Sequence, residues 1–266
     1  MNIIKKMKVK TILSKSMLKE LDYSLNPYLG CNFICNYCYA PNFTPNLEVS
    51  KNWGHVIMVK ENLVEVLRKE VKVERRGVVG ISTITDPYQP VEGEYKLTRK
   101  SIKILTNHGF RISIQTKSPL ILRDLNILLE NRKLVDVGIS ITTLDKDKAK
   151  FLEPLAPLPQ SRIKVLRKIS DSGIETWLYL GPIIRGINDE RSEIRDIIDS
   201  ISDLQIKVIF DKYNHYKNLK FREGGNYWWK EIKDYILNLC KERKMECLEE
   251  SEDWVYEKLK RNAKLF

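Results

Sequence analysis

IETWLYLGPII, residues Ile174 to Ile184, is apolar at nearly every position from Trp177 onward. A strand with one wet face alternates apolar and polar residues, whereas a strand covered on both faces stays apolar along its length. The stretch therefore predicts a buried strand in a parallel sheet that carries helices. Upstream, GVVGISTIT (Gly77 to Thr85), RISIQTK (Arg111 to Lys117) and VDVGISITT (Val135 to Thr143) are similarly rich in Ile and Val, and IKVIFD (Ile206 to Asp211) follows downstream. An earlier strand is expected in LDYSLNPY, Leu21 to Tyr28.

Amphipathic segments separate these runs, at Glu61 to Val73, Leu97 to Asn107, Leu122 to Asn131, Ser161 to Asp171 and Asp189 to Ser202. Gly109 and Gly173 stand where helices should end, and Asn188 with Asp189 reads as a helix cap. Strand and helix alternate for about six repeats, the pattern of an α/β fold built as a partial (βα)6 TIM-like barrel. Residues 1–215 are assigned to that barrel, including a loop at 30–39. Residues 216–266 are assigned to a C-terminal helical extension packed on it, with a helix from about Tyr227 to Arg243.

Composition narrows the class. The chain has 266 residues, 42% of them apolar, with 46 Lys plus Arg, 35 Asp plus Glu and five Cys, which excludes a disordered, collagenous or disulfide-scaffold protein. The net charge of +11 suits a polyanionic partner such as nucleic acid, but a heat-adapted surface rich in both Lys and Glu gives the same excess. No apolar run of signal-peptide length follows the basic start MNIIKKMKVKTILSKS, and no stretch reaches the ~20 apolar residues of a membrane span. A cytoplasmic location without a membrane partner is expected. Disulfides are disfavoured there, so clustered cysteines read as metal ligands or catalytic thiols.

Polar residues gather where the strands end: Thr85 and Asp86, Thr116 to Ser118, and Ser140 to Thr143. In parallel α/β barrels that rim carries the chemistry, because the βα loops meet there. Three of the five cysteines, Cys31, Cys35 and Cys38, lie in NPYLGCNFICNYCYAPN directly after the first expected strand. Structural zinc and iron–sulfur electron carriers take four protein ligands, and no fourth Cys is near. Two readings stay open. Either a three-thiolate cubane leaves one iron free for a cofactor or substrate, or a zinc-binding or regulatory protein completes its site with a histidine such as His55 or His215.

The C-x3-C-x2-C spacing with Tyr37 before the third Cys resembles the signature of the radical S-adenosylmethionine (SAM) enzymes. The stretches TDPYQPVEGEYKLTR, TKSPLILRD, SITTLD, EPLAP and GPIIRGIND are similar to the branch related to spore photoproduct lyase, a DNA photolesion-repair enzyme; the likeness runs from about Asp22 to Asp189. It implies a [4Fe-4S] cluster on Cys31, Cys35 and Cys38. It implies SAM as cofactor, cleaved by one-electron reduction to methionine and a 5′-deoxyadenosyl radical that takes hydrogen from a substrate, and an electron donor such as ferredoxin or flavodoxin. In the cluster loop, Phe33 and Tyr37 are expected to shield the cluster and pack near the adenine.

The same likeness assigns the remaining site residues. Asp86 stands where the superfamily has a Gly-Gly-Glu type segment and is the candidate acceptor for the cofactor's ammonium, although Asp86-Pro87 also makes an ordinary strand-end turn. Lys117 takes the place of the residue that pairs with the cofactor carboxylate. Ser140 and Thr142 share one strand face at the place of ribose contacts. Arg162 is a candidate carboxylate or substrate contact that Glu153-Pro154 can orient, and Gly186 marks a turn that offers backbone to the adenine. Tyr39 matches the place of the relay tyrosine and is the catalytic candidate.

The chain also departs from that enzyme. Where spore photoproduct lyase returns hydrogen from a cysteine, this chain has Ser82-Thr83-Ile84, so the radical-generating half of the chemistry transfers and the photolesion substrate does not. A DNA or RNA lesion-repair lyase is therefore the alternative within the enzyme class. Cys240 and Cys247 are read as small apolar residues of one helix. In NYWWKEIKDY the aromatics Tyr227, Trp228 and Trp229 are expected to pack under the barrel edge in preference to stacking nucleobases, and KNLKFR (Lys217 to Arg222) is a modest basic patch.

Overall fold

The computed structural model describes residues 3–250. Eleven strands are present among them: β1 (Ile3–Met7), β2 (Ser14–Lys15), β3 (Tyr23–Leu25), β4 (Tyr28–Leu29), β5 (Val56–Lys60), β6 (Val78–Ile81), β7 (Arg111–Thr116), β8 (Val135–Ile141), β9 (Glu175–Ile183), β10 (Lys207–Lys212) and β11 (Cys247–Glu249). The helices are α1 (Ala40–Phe43), α2 (Leu47–Lys51), α3 (Leu63–Glu70), α4 (Glu92–Tyr95), α5 (Leu97–Asn107), α6 (Leu125–Glu130), α7 (Lys146–Leu152), α8 (Pro159–Asp171), α9 (Arg191–Asp199) and α10 (Asn226–Glu242). None of the described helices is long and apolar enough to cross a membrane.

The main sheet runs β11-β10-β9-β8-β7-β6-β3-β2, parallel throughout except at the β2–β3 edge. It is an α/β partial barrel whose end strands β2 and β11 do not pair with each other. Its convex face is apolar: Val137, Ile139 and Ile141 of β8, Leu178 and Leu180 of β9 and Val208 of β10 join one core with Leu166 and Ile169 of α8 and Ile194 and Ile198 of α9. The concave face alternates with it and is mixed in character, carrying Ser113, Gln115, Asp136, Ser140, Trp177 and Tyr179. Near its floor the Trp177 ring covers Gly138, where a Cβ would sit 2.4 Å from it. Trp177 donates to Asp136 (2.9 Å), which also accepts from Ser113 (2.7 Å), so the buried carboxylate is satisfied there.

Several expectations are corrected. LDYSLNPY does not form one strand: Asn26-Pro27 breaks it, β3 joins the main sheet, and β4 joins a second sheet of order β1-β5-β4. That small sheet was not foreseen, since its first strand, IIKKM, is basic and exposed. The segment Leu122 to Asn131 is split into a 3-10 turn, Pro119–Asp124, and α6. Asn188 and Asp189 do not cap α9, which begins after Glu190. Their side chains are engaged elsewhere, Asn188 with the Ile184 amide and the Thr142 carbonyl, and Asp189 with the Gly186 amide and Trp228.

Cys240 and Cys247 are joined by a disulfide, contrary to the expectation that both are small apolar residues of one helix. Only Cys240 is helical. The chain reverses at Lys244, whose φ is +56°, and Cys247 returns on β11 beside Val208. The extension adds α10 as well, with Trp229, Ile232, Ile236 and Leu239 buried and Trp229 packed on Phe210. Tyr227 is exposed.

Candidate active site

The cysteine loop leaves β4 through Gly30, where two constraints favour glycine: φ is +87°, and a Cβ would come within 2.5 Å of the Val56 carbonyl oxygen. Ile34 also has positive φ, and the Cys38 amide donates to the Cys35 carbonyl at 3.0 Å, so the loop curls between the second and third cysteines. All three thiols are free. Cys31 is buried, and Cys35 and Cys38 are half-buried. Burial pushes each thiol up to about 12; the backbone amides of Phe33 and Asp86 oppose this at Cys31, and that of Ala40 at Cys38. Among the described residues no three His, Cys, Asp or Glu side chains are gathered as the ligands of a single ion.

Beside the loop, Glu153 is the hub of a buried network. Its Oε1 accepts from the Tyr37 hydroxyl and from Thr142 (2.9 Å), its Oε2 pairs with Arg162, and Lys117 Nζ stands 3.8 Å from Oε1. Lys117 Nζ also lies 5.8 Å from the Tyr37 ring centre. Burial alone would raise the Glu153 pKa, but Arg162 and Lys117 outweigh it and hold the carboxyl below its ordinary value. Burial likewise draws Lys117 down, and the neighbouring Cys35 and Glu153 more than reverse this. Arg162 is anchored further by the carbonyls of Pro157 (2.7 Å) and Ser140 (3.2 Å). The structure thus brings Tyr37, Lys117 and Thr142 together with Glu153 and Arg162, next to Cys35.

Asp86 lies at the end of the β6 loop and is buried. Its carboxylate accepts from Thr116 (2.7 Å), from the Tyr88 amide (2.9 Å) and from the Lys117 amide (2.8 Å). A carboxylate offers about four acceptor positions, so three bonds leave about one. Burial raises its pKa against the opposing pull of these donors. Ser140 Oγ accepts from Gln115 on the concave face at 2.9 Å. Tyr39 stands apart from the Glu153 network: its hydroxyl donates to the Thr83 carbonyl at 2.7 Å, and its ring packs 5.8 Å from Tyr216 and 5.7 Å from Phe43. Burial of the hydroxyl end, with Cys38 nearby, raises its pKa.

Sequence reasoning missed five groups at this rim. Gln89 and Gln115 are neutral amides with no motif of their own. Tyr179 faces the concave side with its hydroxyl 2.9 Å from Glu250, and Asp211 is the second-last residue of β10. Burial pushes Asp211 up to about 6 and Glu250 up to about 7. The period-2 alternation of β9 was a signal for Tyr179; Glu250 lies just beyond a three-residue strand and gave none.

Comparison with known proteins bears on the fold and the family. An uncharacterized protein of Methanocaldococcus jannaschii is 33% identical over 185 residues, covering 69% of this chain and 69% of that one. A radical SAM Nalpha-GlyT isomerase of Pseudomonas phage M6 is 24% identical over 204 residues, covering 76% of this chain and 40% of its own length. Among solved structures, a spore photoproduct lyase variant with bound AdoMet and dinucleoside spore photoproduct shares the fold with a TM-score of 0.73 at 13% identity, covering 93% of this chain and 81% of that chain. The family model described as the radical SAM superfamily matches residues 25–201, more than half of the chain, and with it this protein belongs to the radical SAM superfamily of enzymes.

Proposed function

We propose that the protein binds a [4Fe-4S] cluster through Cys31, Cys35 and Cys38, and SAM beside it, to abstract hydrogen from a substrate admitted at the strand C-termini. The observation that carries this reading is the set of three free thiols on one loop, beside the charged Lys117–Glu153–Arg162 network. The donor set suits the group: each iron of a cubane takes its own thiolate, so the three sulfurs need not converge on one point as zinc ligands must. The spore photoproduct lyase variant of the same fold holds AdoMet, which supports the cofactor.

When bound, cluster and cofactor together supply one-electron reductive cleavage of the cofactor's sulfur–C5′ bond, giving a 5′-deoxyadenosyl radical. The protein's own residues bind, orient and shield. Lys117, held in place by Glu153, offers its ammonium to the cofactor carboxylate. Asp86 has about one acceptor position left for the cofactor's amino group. Ser140 and Thr142 face the ribose, and Tyr37, packed with Leu152, Ile184 and Tyr213, screens the cluster side from water. Tyr39, whose hydroxyl donates to the Thr83 carbonyl, is the candidate to pass a hydrogen atom. A cytoplasmic electron carrier such as ferredoxin or flavodoxin reduces the site, residues 1–215 carry the reaction, and the extension from residue 216 braces it; its last part, 251–266, lies outside the described residues.

The test is anaerobic reconstitution. Brown protein with about four iron and four sulfide per chain is expected, forming 5′-deoxyadenosine from SAM on reduction. Replacing Cys31, Cys35 and Cys38 by Ala should abolish that product. Colourless protein holding one zinc, or product retained in the triple variant, overturns the proposal.

A further inference from the structure

Gln89 is fully buried and treats the cluster loop as a neighbouring peptide treats a strand. Its Nε2 donates to the Gly30 carbonyl at 2.9 Å, and its Oε1 accepts from the Asn32 amide at 3.1 Å. The two bonds straddle Cys31. Thr85 supplies a second donor to the Gly30 carbonyl at 2.6 Å and stands 2.7 Å from Gln89 Nε2, so both acceptor positions of that carbonyl are used.

The same short segment reaches the site in two further ways. The Asp86 carboxylate holds the Lys117 amide at 2.8 Å and accepts from the Thr116 hydroxyl at 2.7 Å. Pro87 and Pro90 fix φ on either side of Tyr88-Gln89, and the Gln89 amide closes a turn onto the Asp86 carbonyl at 3.3 Å. One rigid brace therefore runs from the loop around Cys31 to the end of β7.

We infer that Gln89 is a positioning residue for the cluster: its carboxamide fixes the backbone on both sides of Cys31 and so sets where the Cys31 sulfur stands. The surroundings of ligating sulfurs set the electronic properties of iron–sulfur centres, and the partners that orient ligands govern retention of metal. The inference rests on the cluster proposed above. An aliphatic side chain of similar size at 89 leaves the Asn32 amide without its partner and the Gly30 carbonyl with one donor in place of two.

Reconstituted Gln89→Leu, Gln89→Glu and Thr85→Val are compared with the unaltered protein in three measurements: iron release to a ferrous chelator, the electron paramagnetic resonance spectrum of the dithionite-reduced cluster, and far-ultraviolet circular dichroism. With dichroism unchanged, Gln89→Leu should release iron at least fivefold faster and show an altered spectrum. Gln89→Glu, which still accepts from Asn32 but cannot donate to Gly30, should fall between, and Thr85→Val should show a smaller change of the same sign. A correctly folded Gln89→Leu with the parent release rate and spectrum overturns the inference. If Gln89→Leu does not fold, parent behaviour in both other variants overturns it. Failure of the unaltered protein to take up iron is scored first and strikes the cluster itself.

Discussion

Glu153 stays ionised almost without solvent because two hydroxyl donors and two cations surround it, and each of those partners relies on it in return. Breaking a buried pair by removing one partner leaves the other charge uncompensated, at a cost of about 3–5 kcal/mol. Glu153→Gln should therefore lower unfolding stability by about that much in urea titrations, and weaken SAM binding because Lys117 loses its anchor. The pH dependence follows from the sign of the shift. A carboxyl held below its ordinary value of 4.5 contributes stability that is complete above pH 4.5 and fades as the pH falls below it. Unfolding titrations from pH 7 down to pH 3 should show that loss, and Glu153→Gln should flatten it. Spacing singled out the cysteines and the family likeness singled out Lys117, Thr142 and Tyr37, which the structure gathers around Glu153. Gln89 and Gln115 were not legible: a neutral amide acts only through the backbone or hydroxyl that tertiary structure places opposite it.

At the scale of elements, the parallel strands β6 to β10 were legible because burial on one or both faces leaves a dense Ile and Val signature. β11 was not, since three residues between charged neighbours become a strand only by pairing with β10. The disulfide was hidden for a related reason. A continuous helix would have carried Cys247 away from Cys240, but the reversal at Lys244 brings their Cα atoms to 6.2 Å, within the span a disulfide accepts. Closing so short a loop is worth about 2.5 kcal/mol in the chain-entropy model. Cys240→Ser with Cys247→Ser should lower the unfolding free energy by up to that amount under oxidising conditions, and the reduced parent protein should match the double variant.

Across the whole molecule, the C-terminal elements complete the sheet. Trp229, Ile232, Ile236 and Leu239 bury the inner side of α10, and burial of each such side chain is worth roughly 1.5–3 kcal/mol. Together that is comparable to the ~5–15 kcal/mol by which entire domains are stable. A chain ending at residue 215 should accordingly be recovered in aggregates or lack a cooperative unfolding transition, as size-exclusion chromatography and calorimetry would show. The floor of the concave face depends on one missing methyl group. With Trp177 laid over Gly138, a Cβ there would sit 2.4 Å from the ring, so Gly138→Ala should push the indole aside, loosen its hydrogen bond to Asp136 and lower the unfolding free energy.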